Sequence, residues 1–112
     1  MLIYKIFTGS EWAALEAEGE TLGAPVDLGD GFIHFSTAGQ APETAFKHFK
    51  GQEGLMLAAV EADALGDALK WEPSRGGALF PHLYAPLSHA AVVWSAPLPL
   101  GPTGAHLFPT LT

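Results

Sequence analysis

Asp30-Gly31-Phe32-Ile33-His34-Phe35-Ser36-Thr37-Ala38-Gly39-Gln40 is the segment from which the rest of the chain takes its meaning. Asp-Gly is a turn signal. Phe32, Ile33 and Phe35 form a short apolar, aromatic-rich run, which predicts a strand over residues 32–36. Side chains alternate along a strand, so His34 and Ser36 share one face and Phe35 takes the other. Thr37-Ala38-Gly39 then leads into a helix start. An imidazole and a hydroxyl thus sit on one face near the end of a strand, just before a loop. Binding sites often form at such strand ends.

Towards the N-terminus, Glu20–Gly29 contains Gly23 and Pro25 among residues of mixed polarity. It reads as a loop, with a short extended piece near Thr21-Leu22. The acids Glu11, Glu16, Glu18, Glu20, Asp27 and Asp30 read as one solvated acidic surface. Ahead of them, Ser10 is the expected N-cap of a helix running to about Glu18. Glu11 suits its dipole, Trp12 and Leu15 supply its buried stripe, and Gly19 stops it. Leu2–Phe7 is apolar apart from Lys5 and predicts a first strand. Ile3, Lys5 and Phe7 lie on one of its faces, Tyr4 and Ile6 on the other.

Towards the C-terminus, Gln40, Pro42 and Glu43 open a second helix. Ala45, Phe46 and Phe49 are its expected buried stripe. Lys47, His48 and Lys50 load its C-terminal turn, where the dipole favours positive charge, so His48 has a sufficient structural role. Leu55–Val60, L-M-L-A-A-V, predicts a buried central strand. Asp63–Asp67 reads as a capped helical turn and Leu69–Glu72 as a short strand. Pro73–Gly77 is a loop holding the only arginine, Arg75. In L-F-P-H-L-Y-A-P-L, Leu79–Leu87, Pro81 and Pro86 stiffen the backbone around His82 and Tyr84. Proline cannot donate to a ladder, which predicts an edge strand or a loop across a cleft. Ala91–Trp94 is the last clear strand. Residues 1–96 read as a single domain, and the Pro/Gly-rich residues 97–112 as a C-terminal extension over the surface.

By element count this is a compact α+β or α/β domain, α+β being the preferred reading, with a mixed or antiparallel sheet of about five strands and two main helices. The chain has 112 residues, 12 acids, 5 Lys and Arg, and a formal charge of −7. So acidic a surface disfavours nucleic acid, since phosphate binding rests on Lys and Arg. With no cysteine, disulfides and thiol catalysis are excluded, and a reducing cytoplasm fits. No apolar run approaches the ~20 residues of a membrane helix. The first residues, M-L-I-Y-K-I-F, read as a strand rather than a signal peptide. Neither G-x-G-x-x-G nor a P-loop is present.

The residues able to carry chemistry are His34, Ser36, Glu72, Arg75, His82 and Tyr84. Each also has a structural use: a core imidazole, a helix cap, a strand-end acid, a solvated guanidinium, a packed loop residue, a tethered phenol. A Ser-His-Asp hydrolase fits poorly, because Ser36 lacks a nucleophile elbow. Two imidazoles and one acid match a catalytic zinc set, although no H-x-x-x-H spacing occurs. A ribose site is more natural: imidazole, hydroxyls and a carboxylate grip hydroxyls, aromatic faces stack on a base, and an arginine takes a phosphate.

Ile3-Tyr4-Lys5-Ile6, Trp12, Asp30–Ser36, Gln40, Trp71-Glu72 and Phe80–Leu87 occur in the order of a small bacterial family, domain of unknown function 952, which the chain resembles from Leu2 to Val93. F-P-H-L-Y-A-P-L is the specific part, and G-F-I-H-F-S supports it. That family is similar in turn to the ADP-ribosyltransferase superfamily, most closely to NAD-using RNA 2′-phosphotransferases. The resemblance places Tyr4-Lys5 at the first motif of that superfamily and Ile33–Ser36 at the second. It implies a split, bent sheet with a nucleotide cleft, and NAD or another ADP-ribose-bearing small molecule as substrate. His34 and Ser36 would then orient a ribose, with Lys5 beside them, and His82 and Tyr84 would line the opposite wall. Glu72 would stabilise an oxocarbenium-like centre, and Arg75 would hold phosphate. Members usually carry histidine where this chain has Lys5, which donates but cannot accept. A lone Arg75 argues against an RNA partner. A transferase, a non-catalytic nucleotide-binding module and a metal-dependent hydrolase remain as alternatives.

Overall fold

Leu55–Glu61 is apolar on both faces and so must be covered on both. In the structure, a computed structural model describing residues 1–111 with Arg75 by its backbone alone, it is the middle strand of a sheet. The strands are β1 (Leu2–Phe7), β2 (Glu20–Thr21), β3 (Ile33–His34), β4 (Leu55–Glu61), β5 (Leu69–Ser74), β6 (Ala78–Leu83), β7 (Leu87–Ser88) and β8 (Val92–Leu98). The α-helices are α1 (Gly9–Glu18), α2 (Pro25–Asp30) and α3 (Ala41–Phe49), and Ala62–Ala68, Arg75–Gly77 and His89–Ala91 are 3₁₀ turns. Among the described residues the sheets run β1-β4-β8, β3-β6-β5 and β2-β7, with every pairing antiparallel. The fold is thus α+β, with more strands than expected and, among the described residues, no parallel pair.

Alternation along β1 and β4 divides the interior in two. Ile3, Phe7, Ala58 and Val60 pack with Trp12, Leu15, Ile33, Phe35, Leu83 and Leu87. Tyr4, Ile6, Leu57 and Ala59 pack on the other side with Ala41, Ala45 and Leu98. Each fully buried large side chain contributes roughly 1.5–3 kcal/mol. The two three-stranded sheets meet where β1 touches the end of the His34 segment: Tyr4 N–H donates to the Ser36 carbonyl (2.7 Å) and Ser36 N–H to that of Tyr4 (2.8 Å).

Several local expectations are corrected. The N-cap of α1 is Thr8, not Ser10: Glu11 N–H donates to Thr8 Oγ1 (3.2 Å) and Thr8 N–H to Glu11 Oε1 (3.0 Å). This reciprocal box needs an acid three residues after the cap, which Thr8 has and Ser10 lacks. In α3, Ala45 is buried and Phe49 packs on the core as expected, Ala41 joins them, and Phe46 does not. Phe46 is 52% exposed, with the Lys50 ammonium over its ring. The strand expected over residues 32–36 shortens to Ile33–His34, and β6, expected as an edge strand or a loop across a cleft, is a central strand. Both follow from Pro81. Its carbonyl accepts from Phe35 N–H (3.0 Å), so its missing N–H faces the same side, and the β3–β6 ladder stops there. The last strand extends to Leu98, and beyond it the chain folds back, Leu107 N–H donating to the Pro99 carbonyl (2.8 Å). His106 is buried there, its Nε2 2.8 Å from the Gln52 carbonyl.

Residues 20–29, read as a loop with a short extended piece near Thr21-Leu22, hold β2 close to that piece and, beyond expectation, most of α2. Gly31 closes α2 in the left-handed region. Gly23 precedes it with φ +102, and a Cβ there would lie 2.2 Å from Asp27 Oδ2. Gly23→Ala is expected to destabilise the fold by about 1–3 kcal/mol, measured by urea denaturation. A loss under about 0.5 kcal/mol would show that this turn does not need glycine.

Candidate functional site

Side chains from β1 and β3 converge on one carboxylate of α2. Asp27, in α2, is fully buried. Its Oδ2 lies 2.8 Å from Lys5 Nζ and accepts from Ala24 N–H (2.7 Å), while its Oδ1 takes His34 Nδ1 (2.5 Å) and His34 N–H (3.2 Å). Lys5 Nζ also donates to the His34 carbonyl (3.2 Å). The second ring nitrogen of His34 faces Asp30 Oδ2 (3.0 Å). Asp27, read in the sequence as a solvated acid, is therefore the centre of a buried charge network. Burial pushes its carboxyl up, but the His34 hydrogen bond, the charge and hydrogen bond of Lys5 and the Ala24 N–H outweigh that and hold it at about 2, against an ordinary 3.8.

That shift fixes the sign of the acid dependence. The stabilisation is complete above the unfolded-state value and is lost as pH falls through the folded one. Stability is expected to drop by roughly 2 kcal/mol between about pH 4 and pH 2 from this group. Urea midpoints across that range report it, and Asp27→Asn removes this part of the slope. An unchanged slope in the variant would assign the acid loss to other carboxylates.

A second carboxylate-held imidazole stands beside the first. In the register of β3 and β6, His34 is opposite His82, and their rings are 5.4 Å apart, edge to face. They are thus neighbours, not opposite walls as expected. His82 Nδ1 is 2.8 Å from Glu72 Oε1, which also accepts from Tyr84 Oη (2.7 Å). The hydrogen bonds from His82 and from Tyr84 hold the Glu72 carboxyl below the usual range, and the same contact raises the Tyr84 hydroxyl. Phe32 stacks on the His82 ring at 4.1 Å. An ionised carboxylate only accepts, so the Nδ1 proton is committed to Glu72, and in the neutral ring Nε2 is an acceptor. That Nε2 is buried with no partner.

His82, His34, Lys5 and Ser36 line one cleft of about 460 Å³. Thr44 lines it too: its hydroxyl donates to the Gln40 carbonyl (3.1 Å), so Ser36 Oγ, 2.9 Å away, donates to Thr44. Ser36 keeps lone pairs to accept with. Phe35, Phe49, Phe80, Pro25 and Val26 form apolar wall. Glu72 and Tyr84 do not line the cleft; they hold His82 from behind. This placing does not suit Glu72 to face a developing positive charge on a bound sugar. The Arg75 side chain lies outside the described residues. Asp27, Thr44, Phe32 and the cleft-lining His48 were not singled out by sequence. A-P-V-D, with proline first and an acid at the third helical position, was the available sign of Asp27. Among the described residues, no group of three or more His, Asp or Glu is placed to hold a metal ion, and none of their helices is long and apolar enough to cross a membrane.

The fold and cleft define a small α+β protein with a pair of carboxylate-held histidines on neighbouring strands of one sheet, in the wall of a single cleft. The chain belongs to the family described as Protein of unknown function (DUF952), whose model matches residues 6–95. It is similar to protein CC0527 from Caulobacter crescentus: the crystal structure is 54% identical, covering 96% of this chain and 94% of that one, with a TM-score of 0.93. The solution NMR structure of CC0527 aligns at 56% identity over 93% of this chain and 90% of that one, with a TM-score of 0.85. No curated protein matches the chain.

Proposed function

We propose that the cleft binds a ribose-bearing, nucleotide-like small molecule and serves group transfer at its ribose, with NAD as the model substrate. One observation carries this reading: the cleft wall holds a buried imidazole whose Nε2 is unpartnered while its other nitrogen is fixed by Glu72. Such a nitrogen is completed by a ligand that donates, and Ser36 Oγ offers a second acceptor. Two acceptors suit sugar hydroxyls, and the phenylalanines of the wall suit a flat base. His82 Nε2 is also placed to take a proton from an attacking hydroxyl, with Glu72 holding the ring as in other carboxylate–imidazole pairs. The resemblance to ADP-ribosyltransferases supports the same ligand class.

Binding without turnover is the second reading. It is favoured by Lys5, whose ammonium is engaged by Asp27 where the family usually has histidine. Thermal denaturation with NAD, ADP-ribose and nicotinamide riboside tests both readings. A ligand at 100 times its dissociation constant is expected to add about 2.7 kcal/mol, with a smaller gain in Ser36→Ala. Release of free nicotinamide from NAD would mark turnover. Absence of any shift would overturn the ribose reading.

A further inference from the structure

We propose that the cleft recognises the nucleoside part of its ligand and leaves phosphate outside, so an uncharged or cationic nucleoside binds as well as its phosphorylated form. The proposal rests on the ribose reading above and narrows its ligand class.

Three features of the wall point this way. Lys5 is the only lysine among the described cleft-lining residues, and Asp27 Oδ2 holds its ammonium at 2.8 Å, both side chains being buried. Drawing that ammonium onto a phosphate would leave Asp27 buried without its charge partner. Glu11 adds a carboxylate to the wall while accepting the Thr8 N–H. The start of α3, whose Ala41 and Thr44 face the cleft, offers no anion cradle: the Ala41 N–H goes to the Thr37 carbonyl (2.9 Å) and Pro42 has none. An anionic ligand would therefore meet Glu11, Asp27 and a lysine already engaged, whereas hydroxyls meet His82 Nε2 and Ser36 Oγ. A cationic nucleoside gains further from Glu11.

Calorimetric titration tests this with four compounds: nicotinamide riboside, adenosine, NAD and ADP-ribose. The nucleosides are expected to bind within about threefold of NAD and ADP-ribose, or tighter. Glu11→Gln keeps the cap through its carbonyl oxygen and removes the charge. It is expected to tighten ADP-ribose severalfold and leave adenosine unchanged. A preference beyond about threefold for NAD or ADP-ribose would overturn the proposal, and its loss in Arg75→Ala would name the responsible cation. If none of the four binds, the ribose reading itself falls, and the proposal with it.

Discussion

Asp27→Ala is expected to destabilise the fold by about 3–5 kcal/mol, since it strands a buried ammonium. Lys5 is 7% exposed and Asp27 1%, so water does not replace the lost partner. The substitution also removes the acceptor of the Ala24 and His34 N–H groups, so α2 loses its attachment to β3. A second variant separates charge from packing. Lys5→Met in the Asp27→Asn background is expected to recover part of the loss, because a neutral pair carries no uncompensated charge. Urea denaturation of the unaltered protein, Asp27→Asn, Lys5→Met and the double variant gives the coupling. An Asp27→Ala cost under about 1 kcal/mol would mean that the pair behaves as an exposed one.

His82→Phe is expected to weaken binding of a ribose-bearing ligand by about tenfold or more, the equivalent of about 1.4 kcal/mol. Phenylalanine keeps the stack on Phe32 and removes the buried Nε2 that has no protein partner; the Nδ1 bond to Glu72 is lost too, but that carboxylate is half-exposed and keeps Tyr84 and water. The fold is therefore expected to hold, its stability changing by less than about 1 kcal/mol. Glu72→Gln leaves an acceptor for Nδ1–H and is expected to weaken binding only severalfold, as suits a residue that acts through His82. Calorimetry with the ligand identified by thermal shift reads both. Equal affinity of His82→Phe and the unaltered protein would show that Nε2 does not meet the ligand.

What could be read from the sequence was what local pattern determines. The unbroken apolar run of β4 demanded burial on both faces, and Gly19 marked the end of α1 by its left-handed conformation. His34, Ser36 and His82 were found because polar residues inside apolar strands are conspicuous. Asp27 was missed because its burial depends on Lys5 and His34, which only the folded chain brings to it; alone it resembles its acidic neighbours. The central place of β6 was missed for a related reason. A proline argues for an edge, but here the missing donor faces a partner strand that has already ended. The pairing of His34 with His82 is a matter of register, and no spacing in the sequence states it.

The most direct test of the ribose site is heteronuclear NMR of the His82 ring during titration with nicotinamide riboside. The account predicts a saturable shift of the Nε2 resonance as it accepts a ligand hydroxyl, with the Nδ1 proton still held by Glu72. If nicotinamide riboside, adenosine, NAD and ADP-ribose all leave Nε2 unmoved, the cleft is not a ribose site.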